Sequence, residues 1–546
     1  MDTQSNGSEK HPETNTKQHG RGGFWDRRKS IPKDRLAWLW LVVGFILLPF
    51  TFFQTVIPLA AWLAPIFLLR FERTSRRACI SLLMIFLAYA AGIGIALRGF
   101  LSSDMTLNII GLINFPLLKG LIFTLPYAAD RLIGSRPASM TRLLVFPLAF
   151  TSVDWLMSLS AFINSTGSPA YSQYDNLALM QILSITGMWG ITFLIMWCAT
   201  TANALWEHAF EWRTVRLTLG TFAVVLLAVL LFGNARLAFS APASQTVEAG
   251  TVTVDSAISS MANSSITGNF NHATDAQRLA VRPKLALTIN QLLARTEVEL
   301  RGGAKLVTWQ EGAGTVLEED KQIVLNQVAV LAKQYDAYIQ VSLGVITRRQ
   351  EQHFIRNQSI LVDNMGTVRW TYDKTYLVYP NEHYVFIAGP GQLPVADTPY
   401  GRLSTAICND LHFTPLIHQA GQNGVDILIT PYHDVHPFES EDAVVATYRA
   451  IENGFSLLRP AGAGLSTITD YQGRILATQN FFTNTDGIMM TTVPIHGVTT
   501  VYSWIGDLFA YLCTAGLVFV IVWVLLRRRQ TTTAHWTDQQ ERPTSR

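Results

Sequence analysis

The chain has 546 residues, 49% of them apolar and only 15% charged, against about 25% charged in an ordinary soluble domain. With 29 Phe, 14 Trp, four Cys and a net charge of +3, it is excluded as a disordered chain, a disulfide scaffold or a nucleic-acid binder. A mean hydropathy of +0.22 is high for a soluble enzyme.

In chain order, residues 1–35 are polar and read as a disordered cytoplasmic tail. Long apolar runs follow at 36–53, 55–70, 78–97, 107–128, 143–162, 179–205 and 217–239, and an eighth returns at 502–526. Each is close to the ~20 residues that a helix needs to cross a bilayer at 1.5 Å per residue. The expectation is a helical membrane bundle of about eight spans, seven in 36–240 and one at 502–526, with a solvated tail over 527–546. Basic residues set its orientation. Arg27, Arg28, Lys29, Lys33 and Arg35 precede the first run, and Arg70, Arg73, Arg76 and Arg77 follow the second. Arg131, Arg136 and Arg142, then Arg213 and Arg216, and finally Arg527, Arg528 and Arg529 mark the alternate joints. The joint at Asn164–Asn176 carries neither Lys nor Arg. Both termini are therefore expected inside and residues 245–500 on the outer face.

Within 245–500 the pattern changes to alternating strands and helices, which favours an α/β layer architecture. A strand is expected near Val247–Val254 and another over Ala304–Trp309, then a helix at Glu319–Tyr335 with Ile323, Val324, Val328 and Leu331 at helical spacing. Ala337–Val345, Ser359–Val362 and Val368–Tyr372 read as strands, the last two joined by a turn at Asp363–Gly366. Gly401–Ile407 and Asp426–Thr430 follow as strands, then a helix at Ala443–Asn453 stopped by Gly454, then strands at Phe455–Arg459 and Ser466–Thr469. Glu311, Lys374 and Cys408 each stand just beyond a strand, where α/β sheets present reactive groups, and Glu382 lies eight residues past Lys374. Cys79, Cys198 and Cys513 sit in apolar runs and are expected only to pack. His433 and His436 lack further ligands at metal-binding spacing and are read as part of a pocket loop.

Glu311 in VTWQE, Lys374 in YDKTYLV and Cys408 in STAICND resemble, in order and setting, the Glu-Lys-Cys triad of the nitrilase superfamily of carbon–nitrogen hydrolases. RNQSILVDNMGTVRWTYDKTYL resembles the strand–turn–strand leading to that family's lysine, and YRAIENGFSLLRPAGAGLSTITDYQGRIL the segment after its nucleophile. Placed after seven spans and before an eighth, such a domain is similar to the apolipoprotein N-acyltransferase family, whose outer loop STGSPAYSQYDNLALMQILSITGMWGITFLI resembles. The chain departs from the family pattern at Trp309-Gln310-Glu311 (family Trp-Pro-Glu), at Cys408-Asn409-Asp410 (family Cys-Tyr-Glu) and across Tyr432–Phe438.

The resemblance implies an α-β-β-α sandwich on the outer face of a bacterial inner membrane. It implies transfer of an acyl chain from a phospholipid, through a Cys408 thioester, to the N-terminal amine of a diacylated lipoprotein, with no cofactor, metal or nucleic acid. Glu311 would be the general base, Lys374 the oxyanion partner together with the Asn409 N–H, Glu382 a second carboxylate that positions Lys374 or the amine, and Asp410 an orienting group. Two alternatives remain open at this point: an anchored outer-face amidase with the same triad, and a nitrilase-like domain that only binds.

Overall fold

The computed structural model describes residues 34–98, 109–133, 140–240, 244–266, 270–379, 382–434, 439–484 and 486–540. The expected N-terminal tail lies almost wholly outside the described residues, as does His436.

Among the described residues every apolar run falls mainly on helix, but the runs are not alike. Ala78–Ala96, Trp212–Ala238 and Leu508–Leu526 are, among the described residues, the three helices long and apolar enough to cross a membrane. A fourth arises if Leu177–Thr186 and Trp189–Glu207, bent by 114° at their junction, count together. The remaining runs fall short of the expected eight by length or charge. Ala37–Leu47 has 11 residues before it tightens at Leu48–Thr51, and Pro58–Thr74 carries Arg70, Glu72 and Arg73. Ile109–Ile133 carries Lys119, Asp130 and Arg131, and Met140–Ser158 carries Arg142 and Asp154. Most of these charges are neutralised within the bundle. Arg73 lies 2.7 Å from Asp130, Arg131 3.0 Å from Glu72, and Arg142 2.7 Å from Glu207. Such pairing is what a dry interior demands of buried ions.

The last helix also differs from expectation. Gly506, at φ +55°, separates a short turn at Val501–Ile505 from a helix that begins at Leu508 and continues to Gln540. Of the segment expected as a solvated tail, residues 527–540 are helical, and neither Gly nor Pro interrupts them.

The α/β part begins with β1 (Thr246–Val252), β2 (Leu306–Trp309), β3 (Gly314–Leu317), β4 (Tyr338–Ile346), β5 (Ile355–Val362) and β6 (Val368–Asp373). It continues through β7 (Val395–Thr398), β8 (Gly401–Thr405), β9 (Ile427–Ile429), the two-residue β10 (Tyr432–His433) and β11 (Ser456–Arg459). It ends with the two-residue β12 (Ala461–Gly462), β13 (Leu465–Thr469), β14 (Ile475–Asn480) and β15 (Ile488–Pro494). One sheet has the order β15-β1-β2-β4-β5-β6, with β3 also on β4, and the other β14-β13-β11-β9-β8-β7. The middle pairs β1–β2, β2–β4, β8–β9 and β9–β11 are parallel, and the flanking ones are antiparallel. Leu306, Leu361 and Trp370 of the first sheet share a core with Leu403, Leu428 and Leu457 of the second. Helices Asp275–Arg301 and Lys321–Tyr335 cover the outside of the first sheet through Ile289, Leu292, Val324 and Val328. Thr414–Gln422 and Glu439–Asn453 contribute Leu416, Ile417, Val445 and Tyr448 to the core of the second.

Helix Glu439–Asn453 stops at Gly454, whose φ of +81° suits glycine. An added Cβ there would collide with the Val498 carbonyl oxygen. Gly454→Ala is accordingly expected to destabilise by about 2–4 kcal/mol, combining left-handed strain with overpacking. A lowered thermal midpoint in detergent, followed by circular dichroism, checks it.

The helical region and the α/β part are joined by buried polar contacts. Glu452 accepts from Met188 N at 2.9 Å, at the bend of the broken helix pair, and lies 3.0 Å from Arg449. Asp507, at the head of the last helix, accepts from Trp189 Nε1 and Tyr502 at 2.7 Å, from Thr414 at 2.7 Å and from Trp155 Nε1 at 3.2 Å. Four elements thereby meet on one carboxylate.

Candidate active site

Strands β2, β6 and β8 end at one edge of the sandwich. Glu311 follows β2, Lys374 follows β6 and Cys408 stands three residues past β8, so chain direction alone delivers the three side chains to one place. Each is buried. The Lys374 ammonium donates to Glu311 Oε1 at 2.8 Å and to Glu382 Oε1 at 2.8 Å. Glu311 also accepts from Asn357 Nδ2 at 2.7 Å and, on its other oxygen, from His433 N at 2.9 Å. The Cys408 thiol lies within electrostatic reach of the Glu311 carboxylate and the Lys374 ammonium. Glu382 is held in turn by Val378 N at 2.7 Å.

The charges follow from this packing. Burial pushes the Glu311 carboxyl up, but the Lys374 ammonium outweighs it and holds the group below its ordinary value of 4.5. Burial pulls Lys374 down, yet Cys408, Glu311 and Glu382 around it leave it well above 10.5. Burial, with Glu311 adding to it, raises the Cys408 thiol well above its ordinary value. At neutral pH the resting cluster is therefore a neutral thiol facing a carboxylate that is paired with an ammonium. Such a cluster needs its base at the moment of attack.

Cys408 has φ +48°, in the left-handed region that non-glycine residues avoid. It opens a 3-10 turn, Cys408–His412, and its N–H donates to the Pro431 carbonyl at 3.0 Å. Backbone strain of this sort costs ~1–3 kcal/mol and persists where the surroundings enforce it. Here Asp410 is the enforcing group. It accepts from Tyr372 at 2.7 Å, Tyr376 N at 2.7 Å, Ile407 N at 3.0 Å and Thr375 N at 3.2 Å. The lysine loop and the cysteine turn are thus pinned to one buried carboxyl, which burial raises to about 6 against those hydrogen bonds. Asn409 bridges the same two segments, its Nδ2 donating to the Tyr376 carbonyl at 3.2 Å. A cavity of about 390 Å³ opens beside Thr375 and Tyr376, lined also by Ala161, His353, His383 and Phe386.

All six residues expected from the sequence lie in this neighbourhood. Several that shape it were not expected: Asn357 and the His433 N–H on Glu311, Tyr372 on Asp410, and Asn164 from the helical region on Asn409. Asn357 and Tyr372 occupy neighbouring strands in the run leading to Lys374, where their alternation places them beside it. Asn164 carries no local signal.

The comparisons divide the chain in the same way. A model of the carbon–nitrogen hydrolase family matches residues 264–502, and one of the apolipoprotein N-acyltransferase N-terminal domain matches residues 43–201. An apolipoprotein N-acyltransferase of Geobacter metallireducens is 24% identical over 71% of this chain and 75% of its own length. One from Bradyrhizobium diazoefficiens is 23% identical, over 76% and 79% respectively. A deaminated glutathione amidase of Yersinia enterocolitica is 29% identical over 26% of this chain and 52% of its own length. The crystal structure of an amidase from Nesterenkonia sp. covers 47% of this chain and 94% of its own at 16% identity, with a TM-score of 0.37. With a helical region of the one kind followed by an α/β domain of the other, the chain is an apolipoprotein N-acyltransferase-like member of the carbon–nitrogen hydrolase, or nitrilase, superfamily.

Proposed function

We propose that the chain moves an acyl chain from a phospholipid to the N-terminal amine of a diacylated lipoprotein, with Glu311, Lys374 and Cys408 as its catalytic residues. The observation that carries this reading is the similarity to apolipoprotein N-acyltransferases along both parts of the chain. An anchored amidase would call only for the second part, and a binding domain would have no use for a thiol set against a carboxylate and an ammonium.

In the first half-reaction Glu311 takes the thiol proton as the Cys408 sulfur attacks the ester carbonyl carbon. The oxyanion that forms is stabilised by the Lys374 ammonium and the Asn409 N–H, each donor worth ~3–4 kcal/mol. Collapse breaks the ester C–O bond, and the lysophospholipid oxygen leaves with the proton from Glu311. In the second half-reaction the amine attacks the thioester and gives its proton to Glu311. The sulfur leaves and recovers that proton as thiol, and the product is an amide. Glu382 keeps Lys374 aimed throughout.

The helices have a physical role in this scheme. Drawing a ~16-carbon chain out of a bilayer into water costs about 0.8 kcal/mol per methylene, and lateral delivery between helices avoids it. On this reading residues 36–240 and 502–526 form a bundle of about eight crossings in the bacterial inner membrane. Residues 245–500 then lie on its outer face, and the bent pair at Gly187 together with the charged but internally paired helices counts among the crossings. The alternation of basic joints supports that orientation.

The test is direct. Purified protein incubated with phospholipid should gain the mass of one acyl group on the Cys408 peptide, and adding a diacylated lipopeptide should move that mass to the peptide. An unmodified Cys408 would overturn the reading, and so would release of free fatty acid alone in the presence of the lipopeptide.

A further inference from the structure

The loop that leaves helix Met140–Ser158 does not simply return to the bundle. It is gripped from both sides. From the helices, Lys119 donates to the Thr166 carbonyl and Asp154 accepts from Ser168 at 2.6 Å. From the α/β domain, Glu441 accepts from Gly167 N, and His412, itself 3.1 Å from Asp442, lies 3.1 Å from the Ser165 hydroxyl. At the centre of this grip stands Asn164, with φ +44°. Its Oδ1 accepts from Thr166 N at 2.8 Å, which fixes the carboxamide and turns Nδ2 toward Asn409 Oδ1 at 3.0 Å across 245 residues of sequence. The other end of the Asn409 carboxamide is used as well, on Tyr376, whose ring stacks on Phe413 at 3.6 Å.

We propose that Asn164 is a positioning residue that aims the Asn409 peptide N–H at the developing oxyanion, and so ties the helical region to the chemistry at Cys408. The physical reason is the strained turn. Asp410 fixes the turn at Ile407 N and at the lysine loop, and the peptide that follows Cys408 belongs to Asn409, whose side chain is anchored on both of its polar atoms. Tyr376 anchors one of them and Asn164 the other. A donor displaced by a fraction of an ångström from an oxyanion loses much of its value, because the gain comes from alignment set before reaction. The thiol and its base stand outside this link: Glu311 is held by Lys374, Asn357 and His433 N.

This inference rests on the acyl-transfer reading, and its test separates the two. Acylation of Cys408 is followed as the burst of p-nitrophenol from p-nitrophenyl butyrate, a donor that does not depend on lipid delivery, and in parallel with phospholipid. Alkylation of Cys408 by iodoacetamide, which passes through no oxyanion, reports on the thiol alone. Asn164→Asp, which keeps size and the Thr166 contact but loses the donor, and Asn164→Ala should each slow both bursts by about 10–100-fold. The KM for phospholipid and the alkylation rate should each change by no more than about 2-fold. In an Asn409→Ala background the same changes should cost less than about 3-fold, since the link is already cut. Unchanged bursts would overturn the proposal, as would a fall in alkylation parallel to the bursts or full additivity with Asn409→Ala. A wild-type burst with the nitrophenyl ester but none with phospholipid would overturn the lipid reading and leave Asn164 in its place. A wild type that forms no acyl-enzyme with either donor overturns both.

Discussion

Glu311→Gln is expected to slow acylation of Cys408 by about 10²–10⁴-fold, the usual worth of a well-placed general base. Glutamine keeps the shape of the site and one acceptor for Lys374, but it cannot take the thiol proton. The pH profile makes the test sharper. In the wild type Glu311 is held below 4.5 by Lys374, so acylation should rise with pH only through that acid limb and stay flat across neutrality. Burial holds the Cys408 thiol well above its ordinary value, so a mechanism that waited for free thiolate would instead climb toward alkaline pH. The variant is expected to show that alkaline climb in place of the acid limb. Burst kinetics at a series of pH values check both, and a wild-type rate that climbs continuously would remove Glu311 as the base.

Lys374→Met carries the second large effect, and it has two parts. The ammonium neutralises the buried Glu311 carboxylate and the half-buried Glu382, so removing it strands both, at a cost of about 3–5 kcal/mol for breaking the buried pair with Glu311. It also removes an oxyanion partner, worth a further ~10²–10³-fold in acylation. The triple variant Lys374→Met, Glu311→Gln, Glu382→Gln is expected to recover most of the thermal midpoint and none of the acylation, which separates the two. The pH window follows from the shifts. The depressed Glu311 contributes stability that is present above its ordinary 4.5 and lost as pH falls through its lower folded value. The raised Lys374 contributes stability that is complete below its ordinary 10.5 and lost as pH rises through its higher folded value. The difference in midpoint between wild type and Lys374→Met should therefore be widest between about pH 5 and 10 and narrow on both sides. A constant difference across pH would mean that packing, not charge, sets the cost.

Part of this was legible from the residues alone. Glu311, Lys374 and Cys408 each stand just past a strand, and the motifs around them, in that order, resemble the nitrilase triad, which is what picked them out. Helix Asp275–Arg301 was not anticipated, although Thr274 and Gln277 form a capping box at its head. Pro283 and a largely polar face hid its period. The break at Gly187 in the run at 179–205 was hidden for a different reason, since the Met188 N–H freed there is satisfied by Glu452, 264 positions later. The Asn164–Asn409 contact is of the same kind. Partners that distant leave no trace in local spacing, whereas a strand end declares itself within five residues.

The carboxylate of Asp507 sets an order of assembly. Trp155, Trp189 and Thr414 all precede it in the chain, so as the polypeptide is made their donors wait for an acceptor that emerges with the final helix. Thr414 opens the helix that leads out of the nucleophile's own turn. A nascent chain halted before Asp507 would carry its thiol, its base, its ammonium and the links through Glu452, Glu441 and Asn409, and yet lack this one shared acceptor. The contacts on Asp507 are thus completed only when the head of the last helix has been made.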